Sequence, residues 1–426
     1  MKNLSILFIA FLLINFTTLA QEGWFEQTSG TSTFLHGVDF IDANTGAAVS
    51  ADGIILRTSN GGQTWEPQYS NSATYLWDIC LPDANTGIAV GYYLIGGDRY
   101  GIILRTTNGG TTWDSVSSYN SGNINDVCFT DANIGTAVGV SGIILRTSDG
   151  GLTWESQSSG TYASLWGVSF SDANTGTAVG AGGTIRRTTD GGTTWYGQSS
   201  GGTSYLWSVC FTDADTGTVV GGWGSYPTTI LRTIDGGATW TTQSADVTCE
   251  LKDVHFINGN QGTMVGGLGM AGHYNGEIFR TNDGGLTWEK QLSNYPEGFW
   301  GVIFSDAMTG TVVGHDGTIL RTTNGGVSFV EEQEMDEIPT TYSLTNNFPN
   351  PFNPSTKIKY SIPQSSNVVI KVFDVLGNEI ETLVNEEKSL GTYELTWYAE
   401  NLPSGIYFYR LKASSFIDTK KMILLK

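Results

Sequence analysis

Seven arginines recur at one position along this chain: Arg57, Arg105, Arg146, Arg187, Arg232, Arg280 and Arg321. Together they could form a ring that holds an anion or a carboxylate terminus. Each could equally pair with a carboxylate in a neighbouring turn, and the abundance of acidic residues favours that pairing. A second recurring position carries Trp77, Trp166, Trp207 and Trp300, with His36, Asn125 and Lys252 in the remaining units. Indole faces there could stack on sugar rings, grip a peptide, or serve only as wedges between units. Trp223, Tyr226, Asp98, Arg99, Tyr100 and Tyr274 fall outside both ladders, in three insertions at Gly91 to Gly101, Gly221 to Thr229 and Gly266 to Gly276.

A repeat must position these residues. The pattern T-x-[ND]-G-G-x-T-W ends at Trp65, Trp113, Trp154, Trp195, Trp240 and Trp288, with a worn copy ending at Phe329. Counting from Trp24, the intervals are 41, 48, 41, 41, 45, 48 and 41 residues. Seven units of this length, each with four short apolar runs between glycine turns, are the signature of a β-propeller. The cleanest unit predicts strands A to D at Leu165–Phe170, Gly176–Gly180, 183–188 and 194–198. Between A and B, Asp42, Asp83, Asp131, Asp172, Asp213 and Asp306 begin D-x-x-x-G turns, read as backbone-capping turns in preference to calcium sites. Alternating strand direction puts the B-to-C insertions and the Trp row at one end, here called upper, and the boxes at the other. The upper end is the expected binding face, because insertions accumulate there. Trp24 to Gln27 is expected to close the last blade, leaving the Phe329 copy spare.

The boxes resemble Asp-box (BNR) repeats of sialidases and other propeller glycosidases. With I-L-R-T before each box and G-x-A-V-G earlier, residues 24–329 look most like propellers of the photosystem II assembly and stability factor family. The resemblance implies a seven-bladed propeller in which the box is a structural turn away from any active site. It also implies that an arginine patch can engage a partner.

Enzyme chemistry finds little to use. A sialidase-like site needs three converging arginines, and within residues 21–330 only Arg99 and Arg186 lie off the ladder. Asp98, Glu277 and Glu297 are expected in upper-face loops, but the sequence does not pair them as a glycosidase requires. No nucleophile, phosphate loop or metal spacing appears, so no catalytic residue, metal or cofactor is expected. The alternative to a binding role is a sialidase-like or xyloglucanase-like glycosidase on the upper face. A net charge of −20 disfavours nucleic acid as a partner. Cys80, Cys128 and Cys210 share one repeat position and look like small core residues; Cys210 with Cys249 is the favoured pair if any disulfide forms.

Residues 1–20 fit a secretory signal whose apolar core is too short to span a bilayer, and no later stretch is long enough either. Residues 21–330 form the expected propeller and residues 331–341, with their acidic run, a linker. Residues 342–426 show alternating runs at 357–362, 367–374, 392–398, 405–413 and 420–425, as in a small Ig-like antiparallel β-sandwich. Asn347 to Pro354, Val372 to Gly377 and Leu402 to Tyr407 resemble the type A C-terminal sorting domain of type IX secretion. That resemblance implies delivery by the secretion machinery to the medium or the outer-membrane surface. The expected whole is an all-β, exported propeller that binds an unknown protein or glycan.

Overall fold

The computed structural model describes residues 23–119, 122–223, 228–247, 249–267, 275–327, 339–400 and 402–426. The chain divides into two units, Met1–Phe329 and Val330–Lys426. No helix among the described residues is long and apolar enough to cross a membrane.

The first unit consists of seven four-stranded antiparallel sheets. In the fourth blade, strands Leu165–Phe170, Gly176–Gly180, Thr184–Thr188 and Tyr196–Ser199 pair in chain order. Strand B is buried throughout because neighbouring blades cover both of its faces. The cores accordingly lie between blades: Ala47, Val49 and Ile55 of the first pack on Leu76, Ile79 and Leu104 of the second.

Glycine opens strand B for a steric reason. A Cβ on Gly176 would come within 2.4 Å of the Phe170 ring, and Gly46, Gly135, Gly217, Gly262 and Gly310 meet the equivalent phenylalanine at 2.5–2.6 Å. The Asp turns behave as expected. Asp172 Oδ1 accepts the amide hydrogens of Asn174 and Thr175 at 2.8 and 3.0 Å, and Asp42 does the same for Asn44 and Thr45.

The ring closes through the N-terminus. Phe25–Gln27 pairs antiparallel with Ile319–Thr322 and supplies the outermost strand of the seventh blade. Trp24 is buried, packed edge-to-face with Phe304 at 5.9 Å between ring centroids, and takes the place of the box Trp in that blade. The Phe329 copy lies outside the described residues.

The second unit has two antiparallel sheets. Ser343–Leu344, Ser355–Ile362 and Gly391–Tyr398 form one; Glu379–Lys388, Ser366–Phe373, Gly405–Ala413 and Phe416–Leu424 form the other, in that spatial order. Ile358, Tyr360, Val368, Ile370, Tyr409 and Met422 lie in the core between them. Glu379–Lys388 was not expected as a strand. It is a sheet edge exposed along much of its length and rich in glutamate, so it lacks the apolar alternation of a half-buried strand.

Closure by the N-terminal strand gives a direct test: deleting residues 21–30 should lower the melting temperature far more than deleting 328–337. Equal losses would contradict it.

Candidate functional site

The arginine ladder is built into the joints between blades. Arg146, Arg187, Arg232, Arg280 and Arg321 each donate from Nη1 to a strand-B threonine of their own blade, namely Thr136, Thr177, Thr218, Thr263 and Thr311. From Nη2 each donates to a turn carbonyl of the next blade, at Ala173, Ala214, Gly259, Ala307 and Ala43. The same guanidinium groups lie 4.5–5.0 Å over the strand-A phenylalanines of that next blade. Among the described residues, Arg57 and Arg105 donate to the carbonyls of Ala84 and Gly150 respectively. The expected carboxylate partners are therefore replaced by carbonyls, hydroxyls and phenyl faces. The turn and box carboxylates are already engaged by nearby amides and hydroxyls, as Asp190 is by the Thr194 amide and hydroxyl at 2.9 and 2.7 Å.

A second joint escaped the sequence reading. Gln157 Nε2 donates to the Gly191 carbonyl of the next box at 3.0 Å, and its Oε1 accepts the Trp195 indole N–H at 3.2 Å. Gln198 does the same with Gly236 and Trp240, Gln27 with Gly61 and Trp65, and Gln291 with Gly325 and Trp24. The signal in the sequence is a recurring W-x-x-Q, as at Trp24, Trp154, Trp195 and Trp288.

At the channel, every strand A has a register shift, between its first and third residues in six blades, as at Leu165/Gly167 and Leu251/Asp253, and at Leu76/Asp78 in the longer strand Thr74–Cys80 of the second. Such a bulge lets consecutive residues face the same way, which strict alternation forbids. Trp77 with Asp78, Asn125 with Asp126, and Lys252 with Asp253 thus line one cavity of about 590 Å³ to which all seven blades contribute. Trp77, Trp166, Trp207 and Trp300 all reach it, together with His36, Asn125 and Lys252. Lys252 Nζ lies 4.2 Å over Trp207 and 4.8 Å over Trp300, and is ion-paired to Glu250 at 2.8 Å. His36 stacks on Trp77 at 4.4 Å.

Strand A is the inner edge of each sheet, so its amides lack a strand partner on the channel side. Side chains from the preceding blade cap them. Asp39 accepts from Leu81 at 2.7 Å, Asp78 from Val127 at 3.0 Å, Asp126 from Val168 at 2.6 Å and Asp253 from Val302 at 2.8 Å. Cys210 Sγ accepts from Phe256 at 3.3 Å. The cysteines at this position are therefore amide caps at the channel wall as well as filler. All four cysteines are free, and the favoured Cys210 to Cys249 pairing does not form; Cys249 hydrogen-bonds Glu277 instead. Burial pushes Asp39 and Asp253 up to about 6 and pulls His36 and His255 down to about 4. Burial also raises Asp78 and Asp126, which hydrogen-bond each other.

The remaining candidates divide. Residues 91–101 are not a loop: Gly87–Ile95 and Asp98–Thr106 extend strands B and C into a hairpin, with Gly96 and Gly97 at positive φ. On it, Arg99 lines the cavity and lies 4.7 Å over Tyr92. Tyr100 stacks on Tyr93, and Asp98 is exposed beside the turn. Trp223 is half exposed and packs edge-to-face with Tyr205 at 4.7 Å between ring centroids; Tyr205 in turn stacks on Trp207. Tyr226 and Tyr274 lie outside the described residues. Glu277, expected in a loop, sits buried on strand C and pairs with Lys290 at 2.9 Å.

With this geometry in hand, the relatives can be placed. Residues 346–425 match the family model of the secretion system C-terminal sorting domain, and residues 118–195 that of photosynthesis system II assembly factor YCF48. The propeller is similar to YCF48, the tail to secretion sorting domains. Among solved structures, YCF48 bound to D1 peptide is 21% identical with a TM-score of 0.57, covering 72% of this chain and 98% of its own. YCF48 from Cyanidioschyzon merolae is 21% identical with a TM-score of 0.54, covering 70% and 98%. The WD40 β-propeller domain of Doa1 is 16% identical with a TM-score of 0.51, covering 70% and 96%. These likenesses establish the fold. No curated protein matches the chain. Both family models fall on segments whose residues carried the resemblances, and the sorting tail marks a secreted propeller module.

The amide-capping aspartates make a pH prediction. The folded pKa of Asp253, about 6, lies above its ordinary value of 3.8. Its contribution is therefore fully present below that ordinary value and is lost as pH rises through the folded one. The melting temperature of Asp253→Asn relative to the parent should move in the variant's favour between about pH 5 and about pH 7.5. Movement in the other direction would contradict the assignment.

Proposed function

We propose that this chain is an exported binding module whose ligand site is the aromatic mouth of the propeller channel. The observation that carries the reading is convergence: the strand-A position that varies between blades supplies the side chains around one cavity. Residues repeated in every blade are accounted for by blade joints, so a specific site is built from those that are not. The volume suits a small ligand or the end of a chain. An N-terminal secretion signal, outside the described residues, and the sorting tail supply the route of export.

A relative solved with a D1 peptide makes a polypeptide segment one chemical alternative, and a glycan is the other. The glycosidase reading draws less support. Asp78 and Asp126 are close enough to hydrogen-bond, whereas glycosidase carboxyl pairs stand roughly 5 to 9.5 Å apart.

Glycan and peptide arrays probed with the full chain test this. Binding should disappear with Trp77→Ala combined with Trp300→Ala at unchanged melting temperature, and survive Arg57→Ala, which removes one hydrogen bond at the opposite end. Loss with Arg57→Ala and retention with the tryptophan changes would move the site to the arginine ring.

A further inference from the structure

Around the channel mouth, the second residue of each strand-A bulge reads, in blade order, His36, Trp77, Asn125, Trp166, Trp207, Lys252 and Trp300. Four intervals separate the tryptophans of this ring, and three of them are closed. His36 stacks on Trp77 at 4.4 Å and meets Trp300 edge-on at 5.1 Å. Trp166 and Trp207 lie against each other, with ring centroids 5.0 Å apart. Lys252 bridges Trp207 and Trp300, its Nζ 4.2 and 4.8 Å from the two ring centroids. The remaining interval, from Trp77 to Trp166, spans the same number of blades but carries Asn125. That side chain is shorter than lysine, and its Nδ2 is turned onto the Leu165 carbonyl at 2.7 Å.

The sixth blade shows what such an interval holds, an ammonium between two indole faces. It also shows what a primary ammonium requires, since Lys252 Nζ donates to Glu250 at 2.8 Å. In the third blade the position of Glu250 is taken by Asn123. The Oδ1 atoms of Asn123 and Asn125 and the Nε1 atoms of Trp77 and Trp166 are all sealed from solvent. Both indoles are nevertheless partly exposed and line the cavity, so what they offer it is ring carbon. Asp78 and Asp126 are engaged by the Val127 and Val168 amides and by each other, and so act on a ligand through their charge. A sugar hydroxyl or a peptide amide entering this interval would give up water without finding a partner. A quaternary ammonium has no N–H to satisfy and is held by aromatic faces alone.

Charge points the same way. Asp78 and Asp126 share a proton, and with Asp253 they keep the wall beneath the rings negative. Lys252 is balanced by Glu250, while Arg99 is exposed and lies 4.7 Å over Tyr92. An anion drawn to Arg99 would meet these carboxylates and the negative indole faces on moving inward, whereas both attract a cation.

We infer that the channel mouth binds a trimethylammonium group between Trp77 and Trp166, the counterpart of the Lys252 ammonium between Trp207 and Trp300. This rests on the cavity being the binding site and adds the ligand's chemical class. Choline and phosphocholine both carry the group, and Arg99 is the cation available to the phosphate of the second.

Calorimetric titration of the full chain with choline, phosphocholine, ethanolamine and the uncharged analogue of choline in which carbon replaces nitrogen tests the inference. Choline should bind at least about tenfold more tightly than ethanolamine or the carbon analogue. The paired change Asn123→Glu with Asn125→Lys rebuilds the sixth blade's arrangement in the third and should abolish binding at unchanged melting temperature. Trp166→Leu, which adds no charge, should weaken choline about tenfold. A phosphocholine preference that Arg99→Gln removes names the phosphate-bearing molecule as the source, and parity names the free cation. Absence of choline binding, or equal binding of the carbon analogue, overturns the inference. If a glycan or peptide is then still lost with the Trp77 and Trp300 changes, the cavity stands as the site and only the ligand class falls. Choline binding that survives both the paired change and Trp166→Leu overturns the placement.

Discussion

Between successive blades, a guanidinium group from one strand C lies over a phenyl ring of the next strand A while one nitrogen reaches the neighbouring turn carbonyl. The ring it covers is also held edge-on by the box tryptophan of its own blade, at 5.9–6.0 Å. Strand B passes close enough that only glycine fits against that ring. Arginine, phenylalanine, tryptophan and glycine therefore constrain one another across three strands and two blades, and five of the seven joints carry the complete set. The second blade, where Leu81 replaces the phenylalanine, and the third, whose joint uses Arg105 Nε on a box carbonyl, depart from it. A guanidinium buried this way is kept by hydrogen bonds it would be costly to break, which explains why the ladder is arginine and never lysine.

Because the joints consume the repeated residues, the ends of strand A are left to vary. The bulge there turns two consecutive side chains into the channel, one toward the mouth and one capping the amide of the next blade. Folding and the candidate site are thus separated by a single residue: Asp126 holds the fourth blade while its neighbour Asn125 lines the cavity. The aspartates that cap amides sit well above the usual carboxylate range, since the channel wall keeps water from them.

Much of this was legible in the sequence. The box spacing gave seven units, and strand direction separated the two ends correctly because turn chemistry is local. The arginine ladder was visible, but its partners were not: a repeated arginine among many acids invites ion pairing, and the threonines, turn carbonyls and phenyl rings that receive it lie on other strands and on the next blade. The W-x-x-Q clasp was overlooked because one glutamine per unit carries no chemistry until the neighbouring blade is in place. The hairpin at 91–101 reads as a loop until Gly96 and Gly97 are seen as its turn. The shared channel cavity could not be read at all, since it depends on which side chains the bulge brings together.

The central claim is that the guanidinium–phenyl contact joins the blades. A double-mutant cycle on Arg187→Met and Phe211→Leu, followed by denaturant unfolding of the full chain, measures it most directly. The account predicts that the two changes are not additive, with a coupling of at least about 1 kcal/mol. Additivity within about 0.3 kcal/mol would mean that the ring is held by blade packing alone, and that the arginine ladder has another purpose.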